Sequence, residues 1–359
     1  MKNLAIIFLC LFSLTTFAQT SESYRLKAKT YFENGKYNEA ITALTSALKL
    51  NPKEVKALKN RAICYERIDK YDLALKDNLE VLKFDQSGES YGSIGFDYFW
   101  LEKYDDARKY LKEAIKLLPT NLNYIYNVGL SYQYEKNYDE ALKYYEDVLK
   151  ISPNHSPSKI SKTRCLLYLK QFEKASAQVD SFFINKEFNV EMLLFRGDIK
   201  KHYGKNEEAL FDYSRAIAID PNDLIFLNRA ANCLEDLEYY DEEVAIRKRL
   251  IEVMEKQGET KEYKAISYGL LGIAQHNAYR YEDALESLNE SVKLDDSANA
   301  ATALFYRTMV KAKLKDNEGA CIDIKRAQDL NPDEAENYEN FFADDAEYAD
   351  FYKYCFPNP

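Results

Sequence analysis

Glycine and proline are scarce, at 11 and 8 of 359 residues, which excludes a turn-rich sheet protein, and tryptophan occurs once. The three histidines, His155, His202 and His276, lie far apart, and none has metal-ligand spacing to a cysteine or another histidine. No glycine-rich phosphate loop and no nucleophile elbow is present. Carboxylates are plentiful, but their positions follow helix caps and solvent faces, so they give no acid–base pair. Neither an enzyme nor a metal or other cofactor is expected. Positive charge is in deficit, the formal net charge being -10, which argues against nucleic acid or anionic lipid as a general partner.

What is present is helix-forming and periodic. Tyrosine numbers 30, and Glu, Lys, Ala and Leu form long tracts. Asn121 to Asn154 reads as a helix, a turn and a second helix, and the pattern returns about every 34 residues. Nine copies begin near Ser21, Val55, Gly88, Leu122, Ser156, Val190, Leu224, Ala265 and Ala301. Position 8 of each is small, as in Ala28, Ala62, Gly95 and Gly129, with Thr163 and Thr308 as exceptions. Position 20 is alanine, as in Ala40, Ala74, Ala107 and Ala141, broken only by Glu243. Such a pair lets two helices approach closely. Position 17 is aromatic in most copies, and position 18 is Asn, Asp or Glu, which predicts an N-cap on the second helix and a favourable charge at its positive end. Prolines such as Pro52, Pro119, Pro153 and Pro221 stop the second helices.

Two departures interrupt the period. Unit seven carries about seven extra residues around Glu255 to Tyr263, with a turn expected at Gly258, and reads either as a longer helix pair or as a loop bordering a binding face. A second, shorter gain falls at Leu294 to Ser297 and suggests no function. Cys64, Cys165 and Cys233 occupy the same repeat position in units too far apart for disulfides, so they read as small buried hydrophobes. Cys321 and Cys355 could pair if the tail folds back.

The first residues read as an export signal. Lys2 supplies the positive end, Leu4 to Leu14 is apolar but for Ser13, and Thr16-Phe17-Ala18 offers a cleavage site before Gln19. The alternative is a retained anchor, for which the run is short. Removal of 1–18 leaves a mature chain expected to have no integral membrane segment.

In the fourth unit Gly129, Tyr132, Tyr138, Ala141 and Pro153 meet the small, aromatic, aromatic, alanine and proline positions of the tetratricopeptide repeat (TPR) family, which the sequence resembles from Ser21 to Pro332. The resemblance implies an all-α right-handed superhelix, or α-solenoid, whose first helices line a concave groove. Residues 333–359 differ. From Asp333 to Tyr352 there are eight carboxylates and no Lys or Arg, interleaved with aromatics. This segment is expected to cap the last hairpin, as a repeat array requires, or else to dock on a partner or in the protein's own groove.

Helical spacing assigns a groove-facing set in units three to five: Phe96, Phe99, Trp100, Tyr126, Leu130, Gln133, Tyr134, Arg164 and Tyr168. Aromatics not consumed by the core suit an extended peptide or a sugar face. Lys59 and Asn60 resemble part of the clamp with which some TPR proteins hold a partner's terminal carboxylate, but Lys29 stands where that pattern has asparagine. Asn228 and Asn232, one turn apart, suit a peptide backbone. The expectation is a scaffold or interaction module binding an extended segment of a partner protein. Its rivals are a spacer or assembly subunit of a cell-envelope complex, working through its convex face and tail, and a carbohydrate-binding module. The composition and signal also resemble exported proteins of Bacteroidetes-type bacteria, which implies the periplasm or the outer-membrane periphery.

Overall fold

A computed structural model describes residues 20–184, 189–297, 300–345 and 348–356. The expected signal segment, 1–18, lies outside the described residues. The described residues are helical throughout and contain no strand. They divide into two compact units, Met1–Gln171 and Phe172–Pro359.

In the first unit, hairpins form from α1 (Ser21–Glu33) with α2 (Tyr37–Leu50), α3 (Val55–Glu66) with α4 (Tyr71–Leu82), α5 (Gly88–Trp100) with α6 (Tyr104–Leu117), and α7 (Leu122–Tyr134) with α8 (Tyr138–Ile151). Helix α9 (Ser156–Tyr168) packs on α8. The core runs along the hairpins: Ala40, Ala74, Ala107 and Ala141 at position 20 are fully buried, and the position-8 glycines Gly95 and Gly129 face Leu111 and Tyr145 at position 24. At Gly129 an added Cβ would stand 2.9 Å from the Tyr145 ring, so the close approach admits no larger residue without displacement.

The second unit contains α10 (Phe172–Ile184), α11 (Val190–His202) with α12 (Asn206–Ile219), α13 (Leu224–Asp236) with α14 (Tyr240–Gln257), α15 (Lys261–Asn277) with α16 (Tyr281–Leu294), and α17 (Ala301–Lys313) with α18 (Asn317–Leu330). The extra residues of unit seven are helical: they lengthen α14 and α15, and Gly258 closes α14 in the left-handed conformation at φ 74°. A longer helix pair, and no long loop, is the outcome.

The exceptions to the small-residue rule are accommodated locally. The buried Thr163 and Thr308 hydroxyls donate to the carbonyls of Lys159 and Leu304, each at 2.9 Å. Glu243 is buried and accepts from Arg247 Nε at 2.5 Å, so an ion pair stands where other repeats have alanine. The expected N-caps need correction. Second helices begin at position 17; the position-16 side chain caps the helix at Asn137 and Asp316, whereas Lys36, Lys70, Lys103, Lys205, Tyr239 and Arg280 give no side-chain cap. Asp72, Asp105 and Asp139 therefore lie in the first turn, where only their charge complements the helix end.

The acidic segment folds as α19 (Ala335–Asp344) and α20 (Ala349–Cys355). Phe342, Tyr348 and Phe351 are buried against Met309, Ala312 and Ile324 of the last hairpin, and a Cys321–Cys355 disulfide joins the segment to α18. The tail thus caps the hairpin.

Candidate functional site

The first-helix face of units three to five is largely used for packing. Phe99 is only 6% exposed and lies edge-on to Trp100, Tyr104 and Tyr134. Half-buried Phe96 packs on Tyr124. Half-buried Tyr126 shares a hydrogen bond with the Ser161 hydroxyl and lies against the Tyr145 and His155 rings. Gln133 Oε1 accepts from the Tyr145 hydroxyl at 2.8 Å, and Leu130 and Arg164 are half-buried. Most members of this set thus also make contacts within the array.

Three members differ. Trp100, Tyr134 and Tyr168 are 60, 59 and 61% exposed. All stand at position 13, the last residue of α5, α7 and α9, at the turn edge of the hairpins. Each stacks on the position-17 tyrosine of the preceding repeat: Trp100 on Tyr71 at 5.6 Å and 13°, Tyr134 on Tyr104 at 5.7 Å and 6°, and Tyr168 on Tyr138 at 4.7 Å and 7°. In the second unit His202 and Phe172 repeat the arrangement at 3.5 Å. The sequence pattern showed both aromatic positions; the pairing between neighbouring repeats emerged only with the fold.

Cations of the first two hairpins are mostly neutralised. Lys59 Nζ is 2.6 Å from Asp85 and holds that carboxyl down at about 2, with help from Ser87 and Ser90, while Arg25 pairs with Glu54 at 2.5 Å. Lys59 is thereby removed as a free clamp residue. Exposed Asn60 borders a cleft of about 420 Å³ between α1 and α3, with Arg25, Leu26, Lys29 and Ile63 around it. In the second unit Asn228 and Asn232 are half-buried. The Asn232 carbonyl accepts from Lys201 Nζ and its side chain from Arg247, so Asn232 is committed to internal structure.

Sequence reasoning missed two polar devices. Arginine at position 7 makes a bidentate pair with aspartate at position 23 in Arg61–Asp77, Arg196–Asp212 and Arg307–Asp323. The constant sixteen-residue spacing was the available signal. The second is Asp97, fully buried on α5, which accepts from Asn78 Nδ2 at 2.7 Å through one oxygen while the other has no partner. Burial pushes its carboxyl up to about 8. Among the described residues no group of three or more His, Cys, Asp or Glu is placed to hold a metal. No described helix is long and apolar enough to cross a membrane.

Tetratricopeptide repeat models match residues 25–89, 86–154, 133–181 and 190–223, together more than half of the chain. The chain is similar to Hsp70-Hsp90 organizing protein 3 of Arabidopsis thaliana, 32% identical over 30% of this chain and 20% of that protein. It is also similar to a DnaJ homolog subfamily C member 7 homolog of Dictyostelium discoideum, 24% identical over 89% of this chain and 64% of that one. The matched part spans about a fifth of the length of the first curated relatives. The solved structure of Pseudomonas aeruginosa pilF is 20% identical and covers 59% of this chain and 97% of its own, with a TM-score of 0.49.

Proposed function

Since this chain belongs to the tetratricopeptide repeat family, whose domains act as protein–protein interaction and scaffolding modules, we infer that it is a non-catalytic assembly scaffold of the cell envelope. The observation that carries the reading is the row of exposed rings at Trp100, Tyr134 and Tyr168. Large rings exposed one per repeat offer anchoring area that no internal core requires. The name of the Arabidopsis relative, an organizing protein, favours a role in holding other proteins together. The compartment follows from the export signal read in residues 1–18 and is the periplasm or the outer-membrane periphery.

The second reading places an extended partner segment across the concave face, with Phe96, Tyr126, Leu130, Gln133 and Arg164 as its floor. Exposure of the neighbouring Trp100 and Tyr134 favours it, whereas the packing of the floor residues weakens it. Affinity capture from the host's envelope extract separates the two, using the chain from Gln19 onward, a Trp100→Ser/Tyr134→Ser variant and a Tyr126→Phe/Gln133→Ala variant. A partner lost only with the ring-row variant supports the scaffold edge. Loss only with the floor variant supports the groove, and unchanged capture by both would exclude this whole region.

A further inference from the structure

Position 13 carries a ring in Trp100, Tyr134, Tyr168 and His202, and each lies flat on the position-17 ring of the preceding repeat. The repeats that begin at Ala265 and Ala301 depart from this: they have Asn277 and Lys313 at position 13. The position-17 rings that would be covered there, Tyr240 and Tyr281, are still present. Among the described residues no ring lies flat on either, since Tyr281 meets His276 at 60° and Tyr279 at 85°, and Tyr240 meets none. The place of the absent rings is a cleft of about 240 Å³, bounded by Tyr240, Tyr281, Asn277, Lys313, Tyr279 and Tyr348.

Polar groups are fixed around this cleft. Asn277 Oδ1 accepts from His276 Nδ1 at 3.1 Å, which orients the amide, and among the described residues Asn277 Nδ2 makes no hydrogen bond. The Lys313 ammonium lies over the Tyr348 ring, 4.9 Å from its centre, and Asp345 also lines the cleft, so charges of both signs border it. Tyr279 adds a further ring in a position that costs the backbone something. It stands in the left-handed turn at φ 58°, where other repeats have Gly, Asp, Glu or Lys, and its side chain is 80% exposed.

We propose that this cleft binds a neutral pyranose ring of a glycan, which takes the place that the chain's own rings fill elsewhere in the seam. The inference goes beyond the scaffold reading and does not draw on the edge formed by Trp100, Tyr134 and Tyr168. Size comes first: the cleft is smaller than the roughly 300–1,000 Å³ of pockets that take drug-sized ligands, so it holds a single ring. The electron-rich faces of Tyr240 and Tyr281 attract the C–H bonds on the flat side of a pyranose. Its rim hydroxyls both donate and accept, which matches donors at Asn277 and Lys313 and an acceptor at Asp345. An aromatic side chain of a partner would suit the tyrosine faces as well, but it brings at most one polar atom and would bury the Asn277 amide without an acceptor. A charged ring would meet either Lys313 or Asp345 with like sign, so a neutral one is selected.

Calorimetric titration of the chain from Gln19 onward with chitohexaose, cellohexaose, maltohexaose and N-acetyltyrosinamide tests the assignment. Saturable binding of at least one hexasaccharide is expected, and the one that binds tells an amino-sugar chain from a glucan. Asn277→Trp supplies the missing ring on Tyr240, as Trp100 does on Tyr71, so it should weaken that sugar about tenfold or more while the thermal midpoint is kept. Asn277→Ala, which removes only the amide, should weaken it about three- to tenfold. No saturable binding of any hexasaccharide, unchanged binding by Asn277→Trp, or tighter binding of N-acetyltyrosinamide than of every sugar would overturn the assignment, the last in favour of a partner's aromatic side chain. Partner capture through Trp100 and Tyr134 is read in a separate experiment, so failure of the sugar site leaves the scaffold reading standing.

Discussion

Asp97 shows how one side chain can cost an array stability. Its carboxyl is wholly buried, hydrogen-bonded by Asn78 on one oxygen alone, with the raised carboxyl of Glu66 nearby. It titrates near 8 in the fold, against about 4 in an unfolded chain. Between those values the folded state binds the extra proton, so stability from this group is complete below about pH 4 and is lost progressively as pH rises through about 8. Asp97→Asn keeps the shape and removes the charge. It should raise stability at pH 8.5 by about 1–3 kcal/mol and change it far less at pH 5, as read by urea unfolding. An equal effect at both pH values would show that Asp97 does not titrate in this range. The turn residues make a different concession. Asp69, Glu102, Lys136 and Lys170 all adopt positive φ near 60°, a conformation that costs a side-chain-bearing residue about 1 kcal/mol and that the hairpin geometry imposes.

At the scale of elements, the recurring arginine–aspartate pair ties the middle of a first helix to the middle of the second. Asp212 is fully buried and faces Arg196 and Lys200 together, so removing its carboxylate leaves Arg196 without its bidentate acceptor and Lys200 with Glu208 alone at 3.4 Å. Asp212→Ala should cost about 3–5 kcal/mol, whereas Lys200→Ala, which leaves the bidentate pair intact, should cost much less. Thermal unfolding of the two variants checks this, and equal losses would refute the pairing as the main contribution. The same position in α18, Asp323, holds Arg307 and Lys311, so the device recurs with both partners.

At the scale of the whole molecule, an array of hairpins leaves an apolar end that must be covered. Here α19 and α20 do so in the second unit, with Phe342, Tyr348 and Phe351 as the buried faces and the Cys321–Cys355 disulfide as the tie. Truncation after Pro332 would uncover Met309, Ala312 and Ile324. It should increase self-association and lower the thermal midpoint by several degrees, measured by sedimentation and circular dichroism. Cys355→Ser should lower the midpoint less, since the aromatic contacts remain. A truncated chain as stable and as monomeric as the full one would show that the tail is no cap.

The sequence by itself determined the all-helical repeat, because position 8, position 20 and the turn residues impose one backbone geometry on every copy. It also marked Trp100, Tyr134 and Tyr168, since helical spacing says which residues share a face. Only the tertiary structure decided which members of that face remain open. Phe99, Tyr126 and Gln133 satisfy the same periodicity, yet contacts with Tyr104, Tyr134, Ser161 and Tyr145 consume them. Lys59 reads as a free cation until Asp85, 26 residues away, is seen against it. Periodicity fixes direction relative to one helix axis, whereas burial and pairing depend on what neighbouring repeats bring to that face.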